Sequence, residues 1–136
     1  MSLTNVFIDT NLLVYINTPS KNYDRYFSFY EDQIRENRAF INMIVIDELM
    51  YVSRSKYGVP YKETLEFIES LVFPFTTVLP LEEADYFLMK EMLKYCPQPS
   101  DSIIAASMKR ASIETILSED SGFDRLPDIK RKWLNI

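Results

Sequence analysis

Four acidic residues sit where a hydrophobic segment meets a loop or a helix start: Asp9 in VFIDTNLLVY, Glu48 in VIDELMYV, Asp101 in PSDSIIAASM and Asp120 in ILSEDSGFD. Carboxylates gathered in one place repel one another unless a cation lies among them. An all-oxygen donor set suits a hard cation such as Mg²⁺ or Mn²⁺, and the chain has no His, which removes the usual ligand for zinc, copper or nickel. Acids this far apart in sequence meet only if the fold gathers them. Loops at the carboxyl ends of parallel strands in a doubly wound sheet do so, because they converge on one crevice. Each acid also has an ordinary explanation. Asp9 suits a helix N-cap, Asp101 answers to a helix dipole, and Glu48 with its neighbour Asp47 reads as solvated helix charge. Adjacent helical residues point about 100° apart, so only one of Asp47 and Glu48 can face a common pocket. Asp120 lies between Glu119 and Asp124, the latter placed as an outer ligand or a partner for Arg125.

The elements that must position these acids follow from pattern. Leu3 to Ile8 reads as a buried strand, with a helix from Asp9 through Tyr15 that Pro19 ends. Apolar residues at Tyr23, Tyr26, Phe27, Tyr30 and Ile34 recur at helical spacing and predict an amphipathic helix over 23–36. A second strand over 39–44 leads into a helix carrying Glu48 and ending near Tyr57-Gly58. Pro60 starts a further helix through Leu65, Ile68 and Leu71. A third strand spans 75–79, followed by a helix over 81–95 with Ala84, Phe87, Leu88 and Met92 inward. Pro97 and Pro99 break the chain, Ser100 caps a helix from Asp101, and Ile103-Ile104-Ala105-Ala106 lets that helix pack closely and aim its start at the pocket. The fourth strand covers 113–117, and a short fifth falls around Trp133-Leu134. Alternating strands and helices predict a parallel α/β sheet covered on both faces.

In type and order the four acidic segments resemble the motifs of the PIN domain, a compact nuclease fold. The matching pieces are an Asp-Thr-Asn after the first strand, a helix-borne Glu followed by Leu, a Ser-Asp-x-x-Ile-Ala-Ala helix start, and Ser-x-Asp-x-x-Phe near the end. The resemblance runs over nearly the whole chain. It implies a three-layer α/β/α fold with a mainly parallel sheet of four or five strands, in one domain over 1–136. It selects Glu48 over Asp47, adds Thr10, Asn11 and Ser118 as residues supporting the acids, and leaves Asp124 as a further candidate ligand. The activity implied is a Mg²⁺- or Mn²⁺-dependent ribonuclease leaving 5′-phosphate and 3′-hydroxyl ends, with Asp9, Glu48, Asp101 and Asp120 both catalytic and metal-binding. The short layout is similar to VapC-type toxins of toxin–antitoxin pairs. That implies RNA as substrate, a small antitoxin partner occluding the pocket with an Arg among the carboxylates, and a homodimer. Alternatives are an RNA-processing nuclease without antitoxin and a non-catalytic PIN-like interaction module.

Other readings meet specific obstacles. A haloacid-dehalogenase-like site needs a second Asp where this chain has Asn11, and a receiver domain needs a pocket Lys that neither Lys109 nor Lys130 supplies. The absence of His speaks against paired-histidine chemistry that drives attack by the RNA 2′-hydroxyl. Only two glycines occur, so there is no Gly-rich phosphate loop. The net charge of −5 requires any nucleic acid to meet a local basic surface. Candidates are Arg54, Lys56, Lys109, Arg110, Arg125, Lys130, Arg131 and Lys132. The single Cys96 cannot form an internal disulfide, which fits a cytoplasmic setting, as does the lack of a long apolar run or charged leader. Nine Tyr and nine Phe offer faces on which bases can stack, but the pattern selects none of them.

Overall fold

The computed structural model describes residues 3–96 and 98–135. Its elements run β1 (Thr4–Ile8), α1 (Thr10–Asn17), α2 (Tyr23–Glu36), β2 (Asn37–Asn42), α3 (Met43–Tyr57), α4 (Tyr61–Phe67), β3 (Thr76–Leu79), α5 (Glu83–Met92), α6 (Pro99–Arg110), β4 (Thr115–Leu117) and β5 (Lys130–Lys132). The strands form one five-stranded sheet in the order β3-β2-β1-β4-β5, and every pairing is parallel.

Chain direction explains the layers. From β1 through β2 to β3 the chain steps outward one way, so right-handed crossovers place α1 to α4 on one face. It then crosses back past β1 to β4, which puts α5 and α6 on the other. Helix contacts agree: α1 packs on α2 and α3, α4 on α3, and α5 on α6. Central β1 is buried on both sides, so Val6, Phe7 and Ile8 form an unbroken apolar run. Edge strand β5 is Lys-Arg-Lys, which discourages pairing with another sheet edge. The order reverses between β1 and β4, and the crevice beyond their carboxyl ends is where such sheets place a ligand site. Asp9 follows β1 there, Ser118 follows β4, and the Asp9 N–H donates to Leu117 O at 3.0 Å, tying the two strand ends together.

Several boundaries depart from expectation. β2 ends at Asn42, two residues early, because buried Asn42 turns the chain into α3 and its Oδ1 accepts from the Ile44 and Val45 N–H groups. α3 ends as expected at Gly58, whose φ of 70° is the left-handed conformation a helix C-cap favours. α4 gives way to a π-helical turn over Ile68–Val72 and a 3₁₀ turn over Phe73–Phe75. α5 is shorter than expected and presents a different face. Ala84 and Phe87 are exposed, while Asp85 is buried in their place. α6 begins at Pro99 with Gln98 as its cap, so Ser100 lies inside the first turn and does not cap it. The fifth strand falls at Lys130–Lys132, before Trp133. Pro97 lies outside the described residues.

Candidate active site

Asp9, Glu48, Asp101 and Asp120 line a single cleft of about 220 Å³, together with Thr10 and Asn11. Asp9 is 5% exposed and caps α1. Its Oδ1 accepts from the Thr10 N–H at 2.8 Å, and its Oδ2 accepts from Ser118 Oγ at 2.6 Å and, more weakly, from Asn11 Nδ2 at 3.4 Å. Buried Ser118 is a bridge: its Oγ also accepts from the Asp120 N–H at 3.0 Å, so the first and last acids share one hydroxyl. Asn11 spans the same gap, its Oδ1 accepting from the Glu119 N–H at 3.3 Å. Asp120 caps the 3₁₀ turn Ser121–Arg125 by accepting from the Gly122 N–H at 2.8 Å. A Cβ at position 122 would stand 3.0 Å from Asp120 Oδ1, so a larger residue there would press on that carboxylate.

Glu48 is half-buried and lines the cleft, whereas Asp47 is exposed. Asp101 stands in the first turn of α6. Asn42 joins the two helices: it caps α3 and its Nδ2 donates to Ser107 Oγ of α6 at 3.0 Å. The buried Ser102, Ala105 and Ala106 bring α6 close to its neighbours.

The electrostatics are those of uncompensated acids. Burial pushes the Asp9 carboxyl above its usual range; Ser118 and Thr10 offset this in part, and the charge of Asp120 adds to it. Glu48 is raised by burial and then by Asp9. Thr10 and Ser100 stand near Glu48 and ease its charge, but neither reaches good hydrogen-bonding geometry, so Glu48 Oε1 and Thr10 Oγ1 are buried without a partner. Asp101 is pushed up to about 7 by burial and by the charges of Asp9, Asp120 and Glu48.

A divalent cation fits this donor set. Among the described residues the acids are not drawn into a closed shell around one point. They line an open cleft, which suits Mg²⁺, since that ion keeps several waters and takes only one or two carboxylates. Orphaned Glu48 Oε1 would gain a partner, and leaving such an atom buried and unpaired is costly.

Comparison with protein-family models matches residues 6–129 to the PIN domain. The chain belongs to the PIN-domain family. Solved structures share the fold. VapBC2 from Rickettsia felis, bound to a DNA fragment from their promoter, aligns at 22% identity with a TM-score of 0.72, over 96% of this chain and 98% of that one. FitAcB from Neisseria gonorrhoeae aligns at 20% and 0.72, over 93% and 95%. Mycobacterium tuberculosis VapC20, a sarcin-ricin-loop-cleaving toxin, aligns at 10% and 0.71, over 88% and 92%. At these identities the likeness is one of fold. No curated protein is a significant match in sequence.

Within this PIN domain the four expected acids and the three supporting residues come together around the cleft. Asp124 does not line it. Its carboxylate is held by the Arg131 guanidinium, Nε to Oδ1 at 3.0 Å and Nη2 to Oδ2 at 3.1 Å, so its partner is Arg131 and not Arg125. Arg131 Nη1 also donates to Ser118 O at 3.2 Å, which anchors the backbone of the bridging serine. Sequence reasoning missed Arg131 and Asn42 as positioning residues. It also left unassigned Tyr15, Val52 and Tyr57, which line the cleft with Lys56. A helix-register reading of α3 offered a signal, since Val52 lies four residues beyond Glu48 on the same face.

Proposed function

We propose that this PIN domain is a Mg²⁺- or Mn²⁺-dependent ribonuclease that hydrolyses RNA phosphodiester bonds to 5′-phosphate and 3′-hydroxyl ends, and that it is the toxin of a type II toxin–antitoxin pair. The observation that carries the reading is the meeting of Asp9, Glu48, Asp101 and Asp120 at the sheet's switch point with their charge unanswered. Asp9, Glu48, Asp101 and Asp120 would hold the ion, with Asp9 the most enclosed of the four. Bound there, Mg²⁺ or Mn²⁺ lowers the pKa of the attacking water and neutralises charge on the phosphate oxygens. Ser118 and Asn11 keep Asp9 aimed into the cleft, and Thr10 Oγ1 offers a free hydroxyl beside it. Asp101, ionising near neutrality, can hold or release a proton in the cleft at working pH.

The toxin assignment draws on the VapBC and FitAcB structures of the same fold. A small antitoxin closes the acidic cleft with an Arg among the carboxylates, where a bidentate guanidinium answers the same charge. Exposed Phe73 and Phe75 before β3 offer apolar surface to a second copy. Buried, free Cys96 is in keeping with a cytoplasmic setting. Incubation with single-stranded and structured RNA in Mg²⁺, Mn²⁺ or EDTA, with both ends of the products mapped, tests the reading. Metal-dependent cleavage with 5′-phosphate ends is expected. Cleavage that survives EDTA, or ends in a cyclic phosphate, would contradict it.

A further inference from the structure

The carboxylate cleft has two sides. Asp101 and Asp120 line the main hollow with Tyr57 and Lys56, and they also line a second hollow of about 230 Å³ with Gln98 and Arg125. The two hollows therefore share Asp101 and Asp120, and each is also lined by one cation, Lys56 in the main hollow and Arg125 in the second. Three of the other arginines are engaged: Arg54 lies over the Tyr61 ring at 4.8 Å, Arg110 binds Asp85, and Arg131 binds Asp124. Lys56 and Arg125 are exposed, and among the described residues neither makes a salt bridge.

The main hollow adds an aromatic wall. Tyr15 is fixed in place, its ring stacked on Tyr26 with centroids 4.5 Å apart and its hydroxyl donating to Glu119 Oε1 at 3.0 Å. Tyr57 is half-buried beside it, with Lys56 Nζ 5.6 Å from the Tyr57 ring centroid, and Val52 lies on the helical turn before. A flat, apolar and aromatic wall next to a lysine matches a nucleotide, whose base stacks and whose phosphate takes the point charge. On an acidic protein, flanking cations of this kind are also what phosphate needs to approach.

We propose that one single-stranded RNA lies across both hollows: the scissile phosphate over the carboxylates, a flanking base stacked on Tyr57, and phosphates on either side paired with Lys56 and Arg125. This rests on the nuclease reading for the position of the scissile phosphate, but its contacts can be measured without cleavage. The Asp9→Asn protein, which cannot cut, is titrated into a labelled single-stranded oligoribonucleotide and followed by fluorescence anisotropy. Tyr57→Leu, which keeps apolar bulk but removes the π-face, weakens binding by about 5- to 150-fold, the stacking contribution of one base, while Tyr57→Phe binds as the parent does. Replacing one base with an abasic sugar at the Tyr57 position weakens the parent and leaves Tyr57→Leu unchanged. Lys56→Ala and Arg125→Ala each make the dependence of log affinity on log salt shallower by about 0.7. Melting temperatures near that of the parent exclude misfolding as the cause.

Parental binding by Tyr57→Leu, equal losses on intact and abasic RNA, or no RNA binding by the Asp9→Asn protein each overturns the subsite. If the wild type cuts RNA while Tyr57→Leu alters neither binding nor KM, the subsite fails and the nuclease reading stands. If the wild type cuts nothing but the strand still binds through Tyr57, the nuclease reading fails and the subsite stands.

Discussion

Asp9 and Asp85 are almost equally sealed from solvent, at 5% and 3% exposure, yet the protein treats them in opposite ways. Burial alone would raise the Asp85 carboxyl. The Arg110 guanidinium at 2.7 Å and the Glu82 N–H at 2.8 Å outweigh it and leave the group below its usual range. In that position Asp85 closes a capping box on α5 and joins it to α6. Asp9 has only neutral donors, and its charged neighbours are acids, so its carboxyl is raised. An acid that builds the fold brings its counter-charge within the chain. Where acids gather in one cleft around buried Asp9 and, among the described residues, none is paired with a basic side chain, a bound cation would supply the missing charge.

Breaking the uncompensated side should have the largest effect. Asp9→Asn and Glu48→Gln are expected to lower RNA cleavage by more than the roughly 100-fold ceiling typical of outer partners, while the metal-free protein melts at the same or a higher temperature because a repulsion is removed. Asp124→Asn or Arg131→Ala tests an intermediate case. Arg131→Ala removes the donor to the Ser118 carbonyl and Asp124→Asn removes the charge that holds Arg131 there, so a loss on the order of 10- to 100-fold in cleavage is expected, smaller for Asp124→Asn. An unchanged rate in both single variants would remove the pair from the site's support.

On the compensated side the effect moves to stability. Asp85→Ala should cost about 1–2 kcal/mol through the lost cap and the unpaired partners, read by urea unfolding, with cleavage per folded molecule retained. Asp47→Asn should do least, within about 0.5 kcal/mol in stability and with wild-type activity. If Asp47→Asn were the damaging change and Glu48→Gln the silent one, α3 would be rotated from the register described.

The two kinds of acid also predict opposite pH limbs. Asp101 ionises at about 7 when folded against 3.8 ordinarily, so the stability tied to its proton is complete below about pH 4 and is lost as pH rises through 7. Asp85 is lowered, so its contribution is present above pH 3.8 and lost as pH falls further. Melting of the metal-free protein should therefore fall from pH 4 toward 7, with a separate collapse in strong acid. A flat profile across 4–7 would contradict the Asp101 environment.

How much of this was legible in the sequence depended on whether the cause was local. α2 matched its expected span over Tyr23–Glu36 because its apolar spacing is self-contained, and Gly58 announced the end of α3. Asp9 and Asp120 were legible as acids just past apolar strands, the position that faces a switch-point crevice. What escaped was set by distant partners. Met43 and Ile44 look like strand until Asn42 is seen to cap the helix. Ala84 and Phe87 look like an inner face until Arg110, 25 residues past Asp85, draws that acid inward. Asp124 faces Arg131 only because β5 pairs with β4 and brings the arginine back. Which tyrosines meet the cleft depends on how α1 and α3 pack, and composition holds no record of that.

Under the proposed function the four acids together take a cation. Calorimetric titration of Mn²⁺ into the metal-free protein near pH 6.5, repeated in buffers of different ionisation enthalpy, tests it most directly. The account predicts saturable binding accompanied by proton release, because the ion displaces the proton held by Asp101. It predicts loss of that binding in Asp9→Asn and its retention in Asp85→Asn. No binding by the wild type, or equal binding by Asp9→Asn, would contradict it.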